Sequence, residues 1–234
     1  MKGMARAFWG VILSIATLFL YSCDSQPTKP DIHIKDTVID IGKGDDRVDD
    51  VYAIVTALEN KDFNTVYYKV YELSKSKKDD DLYLLATLYR GGIGVLVNYN
   101  KAQKIYTDLA TKGHKKAMQA LAGMYYKGQG TKQDYKKAMQ WYQKASNAGY
   151  SVADFNLGVM YMLAQGEGVN HKKAMESFLK AANAGIAMAQ YHAGSMYLRG
   201  VGADMNFNKA VKWLKLARGN GSERAKMLLK KYGQ

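Results

Sequence analysis

From residue 81 onward, apolar positions recur in two alternating helical patterns separated by glycines. In residues 117–128, Ala117, Leu121, Ala122 and Tyr125 line one face of a helix that ends before Gly128 and Gly130. A second stretch, from about Asp134 to Ala148, puts Ala138, Trp141, Tyr142 and Ala145 on one face, with Gly149 after its end as a C-terminal cap. The pattern predicts a helix pair joined by a glycine turn. Shifted by 36 residues, the chain matches itself over four copies: Tyr89, Tyr125, Tyr161 and Tyr197; Ala102, Ala138, Ala174 and Ala210; Gly113, Gly149, Gly185 and Gly221. The loop glycines Gly94, Gly130, Gly166 and Gly202 and the lysines Lys101, Lys137, Lys173 and Lys209 keep the same step. A constant period of this size marks a solenoid. The column Ala86, Ala122, Gly158, Gly194 stays small, as close approach of the two helices of a pair requires. The bulky column Tyr106, Tyr142, Phe178, Leu214 is expected to fill the space between neighbouring pairs. One helix pair cannot bury both its faces, so stacking must supply the core.

Outside the four copies the pattern weakens. Residues 47–80 read as a degenerate leading helix pair, with Tyr52 and Leu58 on its first helix and Val66, Tyr67, Val70 and Leu73 on its second. Residues 225–234, where Met227, Leu228 and Leu229 stand beside Lys226, Lys230 and Lys231, read as a capping helix. Residues 23–46 read as a tether, and the alternation of Ile32, Ile34, Val38, Ile39 and Ile41 is too weak to predict a strand pair. Asp45, Asp46, Asp49 and Asp50 lie at the start of the first apolar-periodic segment, where a helix dipole favours carboxylates. An EF-hand is not read there, because the alternating ligands and closing glutamate are missing. The only prolines are Pro27 and Pro30, which agrees with an all-α chain beyond them.

The stretch Ala120 to Gly149, ALAGMYYKGQGTKQDYKKAMQWYQKASNAG, resembles the Sel-1-like repeat family, a relative of the tetratricopeptide repeat with longer inter-helix turns. The resemblance covers residues 81–224 as four repeats of 36 and implies a right-handed α-solenoid. Copy three departs most: Ser177 stands in the column of Trp141 and Trp213, Ala164 replaces the first turn glycine, and His171 stands where other copies have Tyr or Phe.

The N-terminus carries Lys2 and Arg6, then an apolar run from Ala7 to Leu20, then Tyr21, Ser22 and Cys23. A positive start, a short apolar stretch and a small residue before the cut describe a secretory signal peptide over residues 1–22. The run is short of the roughly 20 residues a spanning helix needs. Leu20 to Cys23 resembles the bacterial lipobox, although Tyr21 is bulkier than the usual residue there. That resemblance implies lipidation of Cys23 (palmitate among its acyl groups), removal of the leader, and a chain held on the periplasmic face of a bacterial membrane. Asp24 resembles an inner-membrane retention signal. Cys23 is the single cysteine, which excludes an intramolecular disulfide and a thiolate metal cage.

The formal net charge of +13 is unevenly placed. Residues 23–62 hold 5 basic and 10 acidic side chains, whereas residues 82–234 hold 23 and 7. Part of this excess belongs to the repeat lysines, and the remainder would steer an acidic partner toward the solenoid. Nucleic acid is not expected for a secreted chain. The four histidines lack metal-ligand spacing, the turn glycines follow helices rather than strands, and no Ser, His and Asp constellation is recognisable. No catalytic residue, metal or cofactor is therefore predicted, and an enzyme is not expected. Some cysteine-rich relatives have been linked to penicillin binding, but they depend on disulfides that this chain cannot form.

By analogy with tetratricopeptide stacks, the free first-helix positions are Tyr83, Gln119, Phe155 and Tyr191; Thr87, Gly123, Val159 and Ser195; and Arg90, Tyr126, Met162 and Leu198. The predicted partner-binding residues are Tyr83, Arg90, Tyr126, Phe155, Met162, Tyr191 and Leu198, an aromatic stripe suited to interface anchors. The expected function is a membrane-anchored periplasmic lipoprotein that binds another protein as an envelope adaptor. Two alternatives stand beside it. The resemblance extends to immunity proteins that neutralise type VI secreted phospholipases, and a peptidoglycan-associated binding protein or enzyme is the other.

Overall fold

The computed structural model describes residues 48–233, so the leader, Cys23 and all but the end of the acidic entry lie outside the described residues. Eleven helices and no strand occur among the described residues. The chain divides after Ala102 into two compact units, and each is taken by itself.

The first unit contains α1 (Val48–Glu59), α2 (Phe63–Ser74) and α3 (Asp79–Gly91), followed by a turn and the start of α4 (Tyr99–Thr111). Its core is Ile54 and Ala57 from α1, Val66, Val70 and Leu73 from α2, and Leu84, Leu85 and Leu88 from α3. Tyr52, expected on the packed face of α1, is exposed instead, because Ile54 and Ala57 at helical spacing turn that face inward. Asp62 starts α2: its carboxylate accepts the Thr65 N–H at 3.2 Å and the Thr65 hydroxyl at 2.6 Å. Asp50, in the first turn of α1, pairs with Lys69 at 3.0 Å.

The second unit contains the rest of α4, then α5 (Lys115–Lys127), α6 (Tyr135–Asn147), α7 (Ser151–Met162), α8 (His171–Asn183), α9 (Ala187–Arg199), α10 (Phe207–Gly219) and α11 (Glu223–Lys231). From α5 onward each helix packs against the next, so three helix pairs and a final helix stack in chain order. The small column makes each pair possible. A methyl on Gly158 would lie 2.7 Å from the Phe178 ring, and one on Gly194 would lie 2.7 Å from Leu214 Cγ. The bulky column therefore packs across its own pair, against the small column, rather than only between neighbours. Phe178 also reaches the next pair, where its ring stacks on His192 with centroids 4.8 Å apart.

The turn inside each pair is fixed by its hydrogen bonds. The N–H groups of Gln129, Gln165 and Val201 donate to the carbonyls of the buried Met124, Met160 and Met196, a Schellman closure that needs a left-handed residue just before the donor. Gly128 and Gly200 supply it with φ of 68° and 63°, and Ala164 must do the same at φ 56°. The helix before Ala164 ends at Met162, one residue early, and Leu163 leaves it. The second glycine of the turn is needed for closeness as well. A methyl at Gly166 would lie 2.9 Å from the Tyr135 carbonyl oxygen, and one at Gly202 would collide with the His171 carbonyl. In the first unit Gly94 meets Phe63 in the same way, and Phe63 is 36 residues before Tyr99, so the repeat phase extends back to α2.

Candidate interaction surface

The lysine column has a structural task. In the second unit the side chains of Asp134, Asn170 and Asn206 cap α6, α8 and α10 by accepting the N–H of Lys137, Lys173 and Lys209 at 2.8–2.9 Å. The N–H of each cap residue donates to the carbonyl of Tyr125, Tyr161 or Tyr197. Each capped lysine then lays its ammonium over that tyrosine ring, at 5.5, 5.2 and 5.4 Å from the centroid. Lys101 over Tyr89, at 5.0 Å, repeats the contact within the first unit. Such cation–π contacts contribute about 0.5–1 kcal/mol at exposed sites. Cap, lysine and tyrosine thus lock the turn of each pair.

The predicted partner-binding residues fall into two groups. Tyr83 and Arg90 belong to the first unit, and Tyr83 departs from the expected open position at 8% exposure. Thr87 is also buried, with its hydroxyl donating to the Tyr83 carbonyl at 3.0 Å. Every residue from Tyr83 to Tyr89 is buried, so α3 is covered around nearly its whole circumference. In the second unit the nine first-helix positions are all partly exposed: Gln119, Gly123 and Tyr126; Phe155, Val159 and Met162; Tyr191, Ser195 and Leu198. They share a register but are not a free aromatic stripe. Phe155 packs 5.8 Å from Phe178 and 6.0 Å from His192, between ring centroids. Tyr126 packs edge-on to Tyr135 at 5.3 Å. Tyr191 and Leu198 lean on the core of Leu214, Ala217, Ala225 and Leu229. Each anchor therefore gives one side to the fold and one to solvent.

Sequence reasoning missed His192, which sits among these rings. Burial, with Arg224 and Arg199 nearby, holds its pKa down to about 4, so it is neutral at ordinary pH. Nothing at its register position in the other copies, Asn156 among them, signals it. His114 also has a role that spacing hid: its Nδ1 accepts the Ala117 N–H at 3.1 Å and caps α5. A shallow, open cleft of about 540 Å³ lies where the α7–α8 turn meets the start of α6, lined by Gln133, Asp134, Tyr135, Lys136, Ala164, Gly166, Glu167 and Gly168. Its two carboxylates are engaged: Asp134 with Lys137 at 3.4 Å and Glu167 with Lys173 at 3.0 Å. Among the described residues no cluster of His, Cys, Asp or Glu could hold a metal ion, and no helix is long and apolar enough to cross a membrane.

The Sel1 repeat profile matches residues 80–114, 115–150, 151–186 and 187–222, more than half of the chain. The chain belongs to the Sel1 repeat family. The four matched units are α3–α4, α5–α6, α7–α8 and α9–α10, the helix pairs defined by the 36-residue step. Solved Sel1 structures agree with the fold. A Sel1 repeat protein from Oxalobacter formigenes superposes with a TM-score of 0.65 at 28% identity, covering 73% of this chain and 49% of that one. The structure of c5321, a protective antigen present in uropathogenic Escherichia coli strains and displaying an SLR fold, gives 0.65 at 22% identity, with 74% and 38% covered. A Sel1 repeat protein from Klebsiella pneumoniae subsp. pneumoniae gives 0.53 at 22%, with 86% and 99% covered. The chain thus spans about half the length of the first of these and less of the second. Comparison with curated protein sequences finds no significant match. A Sel1 solenoid is a protein–protein interaction module.

Proposed function

We propose that this Sel1 repeat chain is a non-catalytic binding protein, anchored to the periplasmic face of a bacterial membrane through acylated Cys23, whose first-helix face holds a protein partner. The observation that carries the binding reading is the shared exposure of the nine first-helix positions of the second unit. Six of them, Tyr126, Phe155, Val159, Met162, Tyr191 and Leu198, are apolar or aromatic. Aromatic side chains already fixed on one side by the fold lose little entropy when a partner covers the other. The partner is expected to be acidic, because residues 82–234 hold 23 basic and only 7 acidic side chains. The lipobox-like segment Leu20 to Cys23 supports the anchor.

Val159→Glu and Ser195→Glu test the face without removing a core ring. Each should abolish capture of the partner from cross-linked envelopes while leaving helicity and the unfolding midpoint unchanged. Capture that survives both substitutions would move the site elsewhere. The captured protein also decides its class: a secreted hydrolase encoded beside this gene marks an immunity role, and peptidoglycan-bound material marks a wall role. Metabolic labelling with palmitate should be lost in Cys23→Ser, and retained label would remove the anchor.

A further inference from the structure

The exposed large apolar side chains of the second unit are not scattered. Among its described residues these are Leu163, Val169, Met205, Phe207, Leu216, Met227 and Tyr232. Leu163 and Val169 lie in the α7–α8 turn, and Met205 and Phe207 lie in the α9–α10 turn and the first residue after it. Tyr232 follows α11, and its ring meets Phe207 with centroids 6.2 Å apart. Five of the seven therefore stand on one edge of the stack, the edge made by the turns inside the pairs. That edge is physically continuous, since Gly166 lies against the Tyr135 backbone and Gly202 against the His171 backbone. The turns between pairs, on the other edge, carry none of the seven.

Charge completes the pattern. Residues 127–137, 163–173, 199–209 and 230–233 hold ten lysines and arginines against three carboxylates, two of them already paired with Lys137 and Lys173. Apolar tips spaced along an edge and ringed by cations differ from a protein-binding patch, which concentrates its apolar area in one buried centre. They match the chemistry of an interfacial membrane contact, where aliphatic and aromatic tips enter the boundary region and lysines meet lipid phosphates. The adjoining cleft is shallow and open rather than a closed apolar pocket.

We propose that the turn edge of the second unit docks on an anionic lipid bilayer, with Leu163, Val169, Met205, Phe207 and Tyr232 entering the headgroup boundary. This surface meets the first-helix face at the helix ends, where Met162 precedes Leu163, and does not depend on acylation of Cys23. Docking here would leave the middle of that face, at Phe155, Val159 and Tyr191, open to a protein partner.

The test uses the full chain with Cys23→Ser and one new cysteine, Val169→Cys, Met205→Cys or Ala184→Cys, bearing an environment-sensitive fluorophore. Ala184 is exposed and lies in the turn between α8 and α9, on the other edge. Every variant has the same residues 1–22, so a difference between the labelled positions is local. With vesicles of equal phosphatidylglycerol and phosphatidylcholine, labels at 169 and 205 should shift to the blue and be quenched by a lipid-borne quencher. The label at 184 should do neither. Lys136→Gln with Lys172→Gln should raise the lipid concentration for half the shift by about 25-fold, as each lysine near an anionic surface contributes about fivefold in affinity. No shift at 169 and 205, an equal shift at 184, or an equal shift on pure phosphatidylcholine would overturn the proposal. So would a shift that follows protein concentration without lipid, which would assign the edge to a second copy.

Discussion

Ala164→Gly isolates the energetic consequence of a single departure from the repeat. Three of the four positions in this column are glycine, with φ of 66°, 68° and 63° at Gly92, Gly128 and Gly200, and Ala164 adopts the same left-handed conformation at 56°. An L-residue pays about 1–2 kcal/mol there through its Cβ. Replacing alanine by glycine relieves that cost, but the freer unfolded chain returns about 0.4–1 kcal/mol. Ala164 is exposed, so loss of its methyl removes no packing. The balance is a stabilisation of about 0.5–1 kcal/mol, together with extension of α7 toward Leu163. Urea unfolding followed by circular dichroism should show a higher midpoint, and hydrogen exchange should show slower exchange in α7 and α8 even if the stack unfolds in steps. Ala184→Gly is the control: Ala184 is also exposed but has φ −79°, so the same chemical change should destabilise. An unchanged or lower midpoint for Ala164→Gly, or the same sign for both variants, would refute the strain argument.

Gly158→Ala should destabilise by about 1–3 kcal/mol, because its methyl would lie 2.7 Å from the Phe178 ring; a loss under 0.5 kcal/mol in urea unfolding would contradict that packing. Asn170→Ala should cost about 1 kcal/mol by removing the acceptor for the Lys173 N–H, and Asn170→Asp should restore most of it. His192 has a folded pKa of about 4, below its ordinary 6.5, so the unfolded chain binds its proton first. Its contribution is full above about pH 6.5 and is lost as pH falls toward 4, roughly 3 kcal/mol in all. His192→Phe should flatten that part of the stability–pH curve, and an unchanged slope would show that the imidazole is not held neutral.

Much of this architecture was legible because its devices are local and recur. The cap residue, the lysine that lies over the tyrosine, and the first turn glycine interact within about a dozen residues of one another, so a 36-residue comparison exposes them as columns. Even the strained turn at Ala164 was visible as a missing glycine. Tyr52, Tyr83 and the aromatic stripe were harder. A helical pattern says which residues share a face, but the amount of that face closed by its neighbours depends on packing between helices distant in the chain. Phe155 reads as a free anchor until Phe178 and His192 are set beside it, and Tyr191 until Leu214 and Leu229 are. The turn edge shows the same division. Val169 and Met205 were in plain view, yet only stacking, with Gly202 against His171 and Tyr232 against Phe207, gathered them onto one side. Sequence alone determined the helix pairs and their step, since short-range hydrogen bonds and sterics encode both. The tertiary structure decided which side chains stay in contact with solvent, because burial depends on every surface that closes over a residue.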